Sequence, residues 1–444
     1  SVIFLVDLFE KSVNKTIAAM GATVIALLVS PVLMGFHNWD DHDRSDRYLG
    51  ISFAENYLNS CALNAILFTN GDNDTYPLWY AQNVEGIRPD VRVINLSLLP
   101  TEWYSSALRR KVFDSEPLPL SIPAEKLVAG KRDYVRYFEA PNVNVDSFYP
   151  LDQVLEYVTS DDPKLKQRTN TNELINVFPV KKFSVKVDQK AAIASGYIPA
   201  KDTARIVDQL EWAINKSGLS KGDLVVLDII ATNAKTGWKR PIYWTTTTGS
   251  SVYMNLDKYF RHNGLTYQLL PVEANKQMRG MDDMDLLYNR LMKDYKWGNM
   301  EKGTMFLDAQ SHLVPTTWHY LRSLFIQVAD YYANTGKPDT AAALVDKCYA
   351  SIPETLLPMN LRLKAASADI YYKANQMEKG DQFLKEVGDN SYELIQYYKK
   401  FRTTDELNEN MQILQSMGLL AREYKRDKLA DTYDNLYKQV TTLQ

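Results

Sequence analysis

The chain has 444 residues, with 51 Lys and Arg against 54 Asp and Glu for a net charge of −3, a balance that leaves out nucleic acid as a partner. Its 45 % hydrophobic content supports packed cores rather than disorder, in two or three domains by length. The two cysteines, Cys61 and Cys348, form no metal motif, and a single disulfide between them stays open, so composition fixes no redox compartment.

Ser1 opens the chain inside an apolar run, Val2 to Val6. A piece of a longer chain, or a processed one, is expected, with residues 1–16 as the end of a preceding segment. Ile17 to Phe36 carries no charge over about twenty residues, the length that crosses the hydrocarbon core of a bilayer. We expect a transmembrane helix at 17–36. A core helix and a signal peptide are the competing readings, and no small-residue cleavage site is present. Lys11 and Lys15 lie before the span and an acidic segment follows it, which favours a cytoplasmic N-flank and an exported remainder; Arg44 and Arg47 work against that assignment. Residues 37–50 read as a juxtamembrane linker. Its His37, Asp40, Asp41, His42 and Asp43 match no metal-ligand spacing, so no metal site is expected.

Phe53 to Ser60 reads as a short helix. Ala65 to Phe68 is an apolar run of strand length, and Asn70-Gly71 ends it, with glycine suited to a positive φ. Asp72, Asn73, Asp74 and Thr75 then crowd acceptors into one turn. Asp74 or Thr75 is expected to cap the following helix, with Pro77 in its first turn and Trp79, Tyr80 and Val84 at its apolar positions. A second strand at Val91 to Leu98 completes a βαβ unit, which sets the acidic turn at the carboxyl end of a strand, where open α/β sheets hold ligands. Thr101 to Arg110 reads as a helix capped by Thr101.

From Ser115 to Pro199 the pattern weakens into an insertion near 115–200, a lid or acceptor-facing loop, with short strands at Val177 to Phe178 and Phe183 to Val187. Thr203 to Ile214 reads as helical. Leu224 to Ile230 is a continuous apolar run of the kind found in a strand buried on both faces, with Asp228 costly unless paired. Strands follow at Pro241 to Thr248 and Leu265 to Val272, with a helix at Leu256 to Phe260. The α/β domain is thus bounded at 51–280 and a helical domain at 281–444. In the latter, Ala329-Asp330 and Tyr331-Tyr332 align with Ala368-Asp369 and Tyr371-Tyr372 at an offset of about 39 residues, near the period of tetratricopeptide-like hairpins. Tyr is abundant, at 28 against 15 Phe; rings of this kind suit wet or carbohydrate surfaces, but their helical spacing favours helix packing.

The fold class expected is therefore α/β. A Rossmann-like, mostly parallel sheet domain follows one transmembrane helix, and an all-α tetratricopeptide-like domain comes last. The ligand-binding candidates are Asn70, Asp72, Asn73, Asp74, Thr75, Trp79 and Trp103. Short acceptors at a strand end can hold sugar hydroxyls or a hard cation such as Ca²⁺, and equally can serve only as a turn and a cap. Tyr76, Trp79 and Trp103 offer a sugar-stacking surface, with core packing as the competing role. Glu85 and Arg88 read as a surface pair of little energetic weight. There is no Walker lysine, no G-x-G-x-x-G and no G-x-S-x-G elbow, and His is scarce, so nucleotide binding and triad hydrolysis are set aside. Asn73-Asp-Thr75 and Asn95-Leu-Ser97 fit the glycosylation acceptor pattern but fall in predicted structure.

The run Asn64-Ala-Ile-Leu-Phe-Thr-Asn-Gly-Asp-Asn-Asp-Thr-Tyr-Pro-Leu-Trp-Tyr80, with Val84 to Val91 and Asn95 to Leu99, resembles a known family. It is similar to bacterial domain-of-unknown-function proteins grouped with protein O-mannosyltransferases of the transmembrane-protein-260 type, which are multi-span membrane proteins similar to C-type glycosyltransferases. Trp297-Gly-Asn-Met300 adds a weaker match. The resemblance implies a last membrane helix plus an exported C-terminal region at the bacterial inner membrane, its soluble part periplasmic. It implies a polyprenyl-phosphate sugar donor for the whole enzyme and no cofactor in this chain. The catalytic acid is implied on an early external loop outside these residues, so no catalytic residue is assigned here. The expected role is binding the acceptor protein or its glycan. The alternative is a non-catalytic envelope scaffold that binds a protein partner through its helical repeats.

Overall fold

The computed structural model describes residues 2–140, 143–273, 283–305, 307, 317–401 and 403–442. The expected domain boundary near 280 lies outside the described residues.

The chain begins with α1 (Val2–Phe9) and α2 (Lys15–His42), which pack on each other. Over Lys15–Trp39, α2 is long and apolar enough to cross a membrane, and only 11 % of its apolar window is buried inside the protein. It is thus no core helix; an exposed N-terminal helix of this kind fits a membrane anchor or a signal sequence. The helix runs on to His42, so the expected linker shrinks to the few residues before α3 (Leu49–Asn59).

Next come β1 (Ile66–Thr69), α4 (Asp72–Asn83), β2 (Arg92–Asn95) and α5 (Glu102–Ala107), the βαβ unit legible in the sequence plus a short helix. The region beyond holds β3 (Tyr134–Tyr137), β4 (Tyr149–Pro150), α6 (Leu151–Thr159), β5 (Gln167–Arg168), β6 (Leu174–Ile175), β7 (Val177–Phe178), β8 (Lys182–Lys186) and α7 (Gln189–Ala194). It continues through β9 (Gln209–Ala213) and β10 (Gly218–Ser220) to α8 (Lys221–Lys235). Strands β11 (Ile242–Thr245), β12 (Phe260–His262) and β13 (Thr266–Leu269) close the sheet.

The main sheet runs β12-β13-β11-β1-β2. Strand β1 is parallel to both β11 and β2, whereas β13 is antiparallel to β11 and β12 to β13. The sheet is therefore mixed, and the expectation of a mostly parallel one is met only in its three-strand part. One face, carrying Ile66, Phe68, Ile94, Ile242 and Trp244, packs in a core with α8 and α6. The other, carrying Leu67, Val93 and Tyr243, packs with α3, Leu78 and Ala81 of α4, and the helices further along. The crossovers from β1 to β2 and from β2 to β11 thus lie on opposite faces, the first stepping to one side of β1 and the second passing over β1 to its other side.

Several sequence readings of local structure are overturned, among them the helix expected at Leu256 to Phe260, where a 3-10 turn (Asp257–Tyr259) leads straight into β12. Leu224 to Ile230 is not a strand but the middle of α8, a helix buried on all sides, whose unbroken apolar run has no face to mark it. Its start carries a capping box, the Ser220 hydroxyl accepting from Asp223 N–H while Asp223 accepts from Ser220 N–H. Asp228 inside it is satisfied: its carboxylate accepts from the Ser121 hydroxyl and from the backbone of Ser121 and Ile122, at 3.1 and 3.0 Å. Residues 203–214 are not one helix either. A 3-10 turn (Ala200–Arg205) leads into β9, where Leu210 and Trp212 point inward with the period of two of a strand. The insertion is no detached loop: Val135, Phe178, Phe183 and Trp212 belong to the same core as α8.

The C-terminal region is helical: α9 (Met284–Asn289), α10 (His319–Asn334), α11 (Pro338–Ser351), α12 (Leu361–Lys373), α13 (Met377–Phe401), α14 (Thr404–Glu423) and α15 (Asp427–Thr442), packed in sequence order. The 39-residue offset is visible where α10 and α12 end, at Asn334 and Lys373. Tyrosines staple the helices. Tyr332 donates to Asp285 at 2.6 Å, Tyr371 to Asp346 at 2.7 Å, Tyr424 to Asp369 at 2.7 Å and Tyr372 to Asp381 at 2.9 Å. Gly380 and Gly388 of α13 make room for the rings of Tyr372 and Tyr433, into which a methyl group at either position would run. Cys61 and Cys348 are both buried and both free.

Candidate functional site

The acidic turn sits at the carboxyl ends of β1, β2 and β11. Gly71 takes φ +93° as N-cap of α4, a conformation that side chains other than glycine's resist. The helix then starts at Asp72, so neither Asp74 nor Thr75 caps it, and Pro77 is its sixth residue rather than part of the first turn. Asn73 therefore has no N–H four residues on to accept, since proline lacks one.

The turn splits into an inner and an outer half. Asp74 is 4 % exposed. Its Oδ2 accepts from Asn70 N–H at 2.9 Å, from the Thr247 hydroxyl at 2.9 Å and from the Thr245 hydroxyl at 3.3 Å, while its Oδ1 is buried without a partner. Burial pushes this carboxyl above its ordinary range, against the pull of those donors. Thr75 is fully buried, its hydroxyl donating to Gly71 C=O at 2.6 Å beside the Thr69 hydroxyl. Asn70, Asp72 and Asn73 face outward. The Tyr76 hydroxyl bonds Asp72 at the surface. The two carboxylates thus share no cation position, and among the described residues no group of three or more His, Cys, Asp or Glu side chains could hold a metal.

Sequence reasoning missed the residues that brace the turn. Asn95, at the end of β2, donates to Gly71 C=O at 3.2 Å and accepts from Ser97 N–H at 2.8 Å; Ser97 in turn donates to Asn70 Oδ1 at 2.9 Å. Tyr57 from α3 meets the Thr246 hydroxyl at 3.0 Å, and burial pushes its phenol well up. The run of four threonines at 245–248 was the available signal. Asn70 also lines a cavity of about 210 Å³ with Leu96, Lys216, Ser220, Asp223 and Met254.

The aromatic candidates come together. Tyr76 stacks on Trp79 at 5.6 Å, Trp79 leans on Tyr104 at 6.3 Å, and Tyr104 meets Trp103 edge-on at 5.3 Å. The two ends of this series are open, Tyr76 at 49 % and Trp103 at 63 % exposure, while Tyr104 is buried and bonds Asn95 N–H through its hydroxyl at 2.8 Å. Trp103 borders a cleft of about 810 Å³ with Thr101, Glu102, Arg110, Asp133 and Lys221. Lys221 is buried, donates to Val128 C=O at 2.9 Å and holds the Asp133 carboxyl below its ordinary range. Thr101 does not cap α5 with its hydroxyl, which donates to Leu98 C=O instead. Glu85 and Arg88 do not pair. Glu85 accepts from Tyr80, while Arg88 forks onto Asp90 and ties down the carbonyls of Leu58, Cys61 and Ala62.

A family model described as TMEM260-associated domain 2 matches residues 50–287, just over half of the chain, and takes in both the acidic turn and the aromatic series. No solved structure matches the chain.

Proposed function

The chain belongs to the TMEM260-associated domain 2 family, and on that premise we propose that it is the exported accessory region of a multi-span membrane glycosyltransferase of the protein O-mannosyltransferase type. Helix α2 anchors it, and the part beyond α2 lies on the periplasmic side of a bacterial inner membrane. A polyprenyl-phosphate sugar serves the whole enzyme as donor, and the chemistry belongs to residues outside this chain. The Rossmann-like character of its three parallel strands and the tetratricopeptide-like character of α10 to α15 are part of the same reading.

The role of the accessory region is to hold the acceptor protein through its glycan. The observation that carries this is the open-ended aromatic series from Tyr76 through Trp79 and Tyr104 to Trp103, beside a cleft rimmed by Glu102, Arg110 and Asp133. Exposed indole and phenol faces stack on the apolar faces of sugar rings, and charged or amide groups at their rim take the hydroxyls. Asn70, Asp72 and Asn73 extend that polar rim from the far end of the series. Asp74 and Thr75, turned inward, hold the turn in shape.

Binding of the detergent-solubilised full chain to immobilised mannosylated peptides tests this. Saturable binding that is lost in a Trp103→Ala, Tyr76→Ala double variant is expected. Equal binding by both proteins refutes the aromatic site, and a stable protein partner captured without any glycan affinity favours the scaffold role.

A further inference from the structure

A second site lies on the outer edge of the sheet; it shares Trp79 and Tyr104 with the middle of the aromatic series but neither of its exposed ends, Tyr76 and Trp103. Arg92 opens β2, the edge strand, and is 5 % exposed. Its Nε donates to the Ser115 hydroxyl at 3.1 Å, and its Nη2 reaches the carbonyls of Arg110, Ser115 and Glu116 at 2.7 to 3.1 Å. Arg240 converges on the same hydroxyl from the other side, with Nη2 at 2.9 Å, Nη1 on Glu116 C=O at 2.9 Å and Nε on Asn64 C=O at 3.0 Å.

Neither guanidinium has a carboxylate in ion-pair contact among the described residues; the Glu116 side chain is taken by Lys111 at the surface. Burial, and then the charge of Arg92, push Arg240 down to about 10, so both cations persist at neutral pH while each disfavours the other. A buried and a half-buried like charge around one hydroxyl, bonded to carbonyls and with the Glu116 carboxylate acting on Arg240 only through space, leave a net positive potential on the Arg92 side.

That potential opens on a cavity of about 210 Å³, walled by Trp79, Gln82, Arg92, Tyr104, Phe113 and Ser115. At ~30 Å³ per water this is room for about seven waters, or for one small ring and its charged substituent. The wall is held in an unusual shape. Phe113 sits at φ +49°, a region a bulky side chain seldom enters, within a tight turn closed by Val112 N–H to Ser115 C=O at 3.0 Å and the reverse at 2.9 Å.

We infer that this cavity binds an oxyanion, phosphate or carboxylate, carried on a single sugar-sized ring. The anion sits towards Arg92, Arg240 supplies charge from behind Ser115, and the rings of Trp79 and Phe113 flank the ligand body.

Calorimetric titration of the detergent-solubilised full chain with glucose 6-phosphate, glucuronate, inorganic phosphate and glucose tests the site and separates the two anion sources. At least one of the two anionic sugars is expected to bind tenfold or more tighter than glucose, and the winner identifies the substituent. Arg92→Gln is expected to lose that preference. Because Arg92 also ties down the turn at 110–116, the deciding variant is Val112→Trp, which fills the cavity from an exposed position and leaves both arginines in place. Loss of anionic-sugar binding in folded Val112→Trp supports the site, and unchanged binding overturns it. Glucose binding as tightly as both anionic sugars overturns it as well, and inorganic phosphate matching glucose 6-phosphate overturns the ring half. Binding of neutral mannosylated peptides at Trp103 should be unaffected by Val112→Trp, so the two sites fail or stand separately.

Discussion

The Thr247 hydroxyl donates to Asp74 Oδ2 at 2.9 Å, joining the first turn of α4 to the end of β11 across the seam where the two crossovers diverge. The same oxygen accepts from Asn70 N–H, so one side chain fixes the strand end, the turn and the neighbouring strand. Asp74→Ala takes away the shared acceptor of three donors at a largely buried place and is expected to cost on the order of 2–4 kcal/mol. Asp72→Ala, at an exposed position two residues away, should change stability by no more than about 0.5 kcal/mol. Urea unfolding of both variants checks this, and equal losses would contradict the division into inner and outer halves.

Trp103→Ala removes a ring that is 63 % exposed. Melting temperature should stay put, while affinity for a mannosylated peptide should fall by roughly 0.5–1.5 kcal/mol, up to about tenfold. A drop in stability without a change in affinity would make Trp103 a packing residue instead.

His262 is 3 % exposed, its Nε2–H donates to Gly264 C=O at 2.7 Å, and burial holds its pKa at about 4. The unfolded chain takes up this proton below ~6.5, the folded one not until about 4. Stability should therefore fall as pH drops through that window, by at most about 3 kcal/mol from this group. His262→Gln should flatten that part of the stability profile in denaturant melts between pH 7 and 4. An unchanged slope would place the pH sensitivity elsewhere.

Two glycines should respond with opposite signs. Gly298, in the Trp297-Gly-Asn-Met300 stretch, has φ +61°, and a Cβ there would come within 2.9 Å of the Leu49 backbone. Gly298→Ala should destabilise by more than about 1 kcal/mol. Gly50 lies in α3 with open space around it. Gly50→Ala should stabilise by about 0.5–1 kcal/mol through helix propensity. Thermal melts of the pair decide it, and a shared direction of change would be inconsistent with these backbone environments.

The βαβ unit was legible because Asn64 to Leu98 is local: an apolar run, a glycine turn, an amphipathic stretch and a second run follow one another without help from distant residues. The apolar span of α2 was legible from its lack of charge. α8 was not, because Leu224 to Ile230 is enclosed on every side and an enclosed helix shows the same unbroken apolar run as an enclosed strand. The capping pair Ser220 and Asp223 was the local sign that distinguished them. The acidic turn was legible as a cluster, but not its division. Which of Asp72 and Asp74 turns inward is decided by Thr245 and Thr247, some 170 residues away. Arg92 and Arg240 meet only in the fold, so no local pattern could pair them.

Cys61 and Cys348 are buried free thiols in one core, pushed up to about 12 by burial, so almost no thiolate forms at neutral pH. Thiol–disulfide exchange has no reactive sulfur to begin from, and the glutathione balance of a compartment has no purchase on this fold. The same native state is expected in reducing and in oxidising buffer, on either side of a lipid barrier and without help from an oxidoreductase.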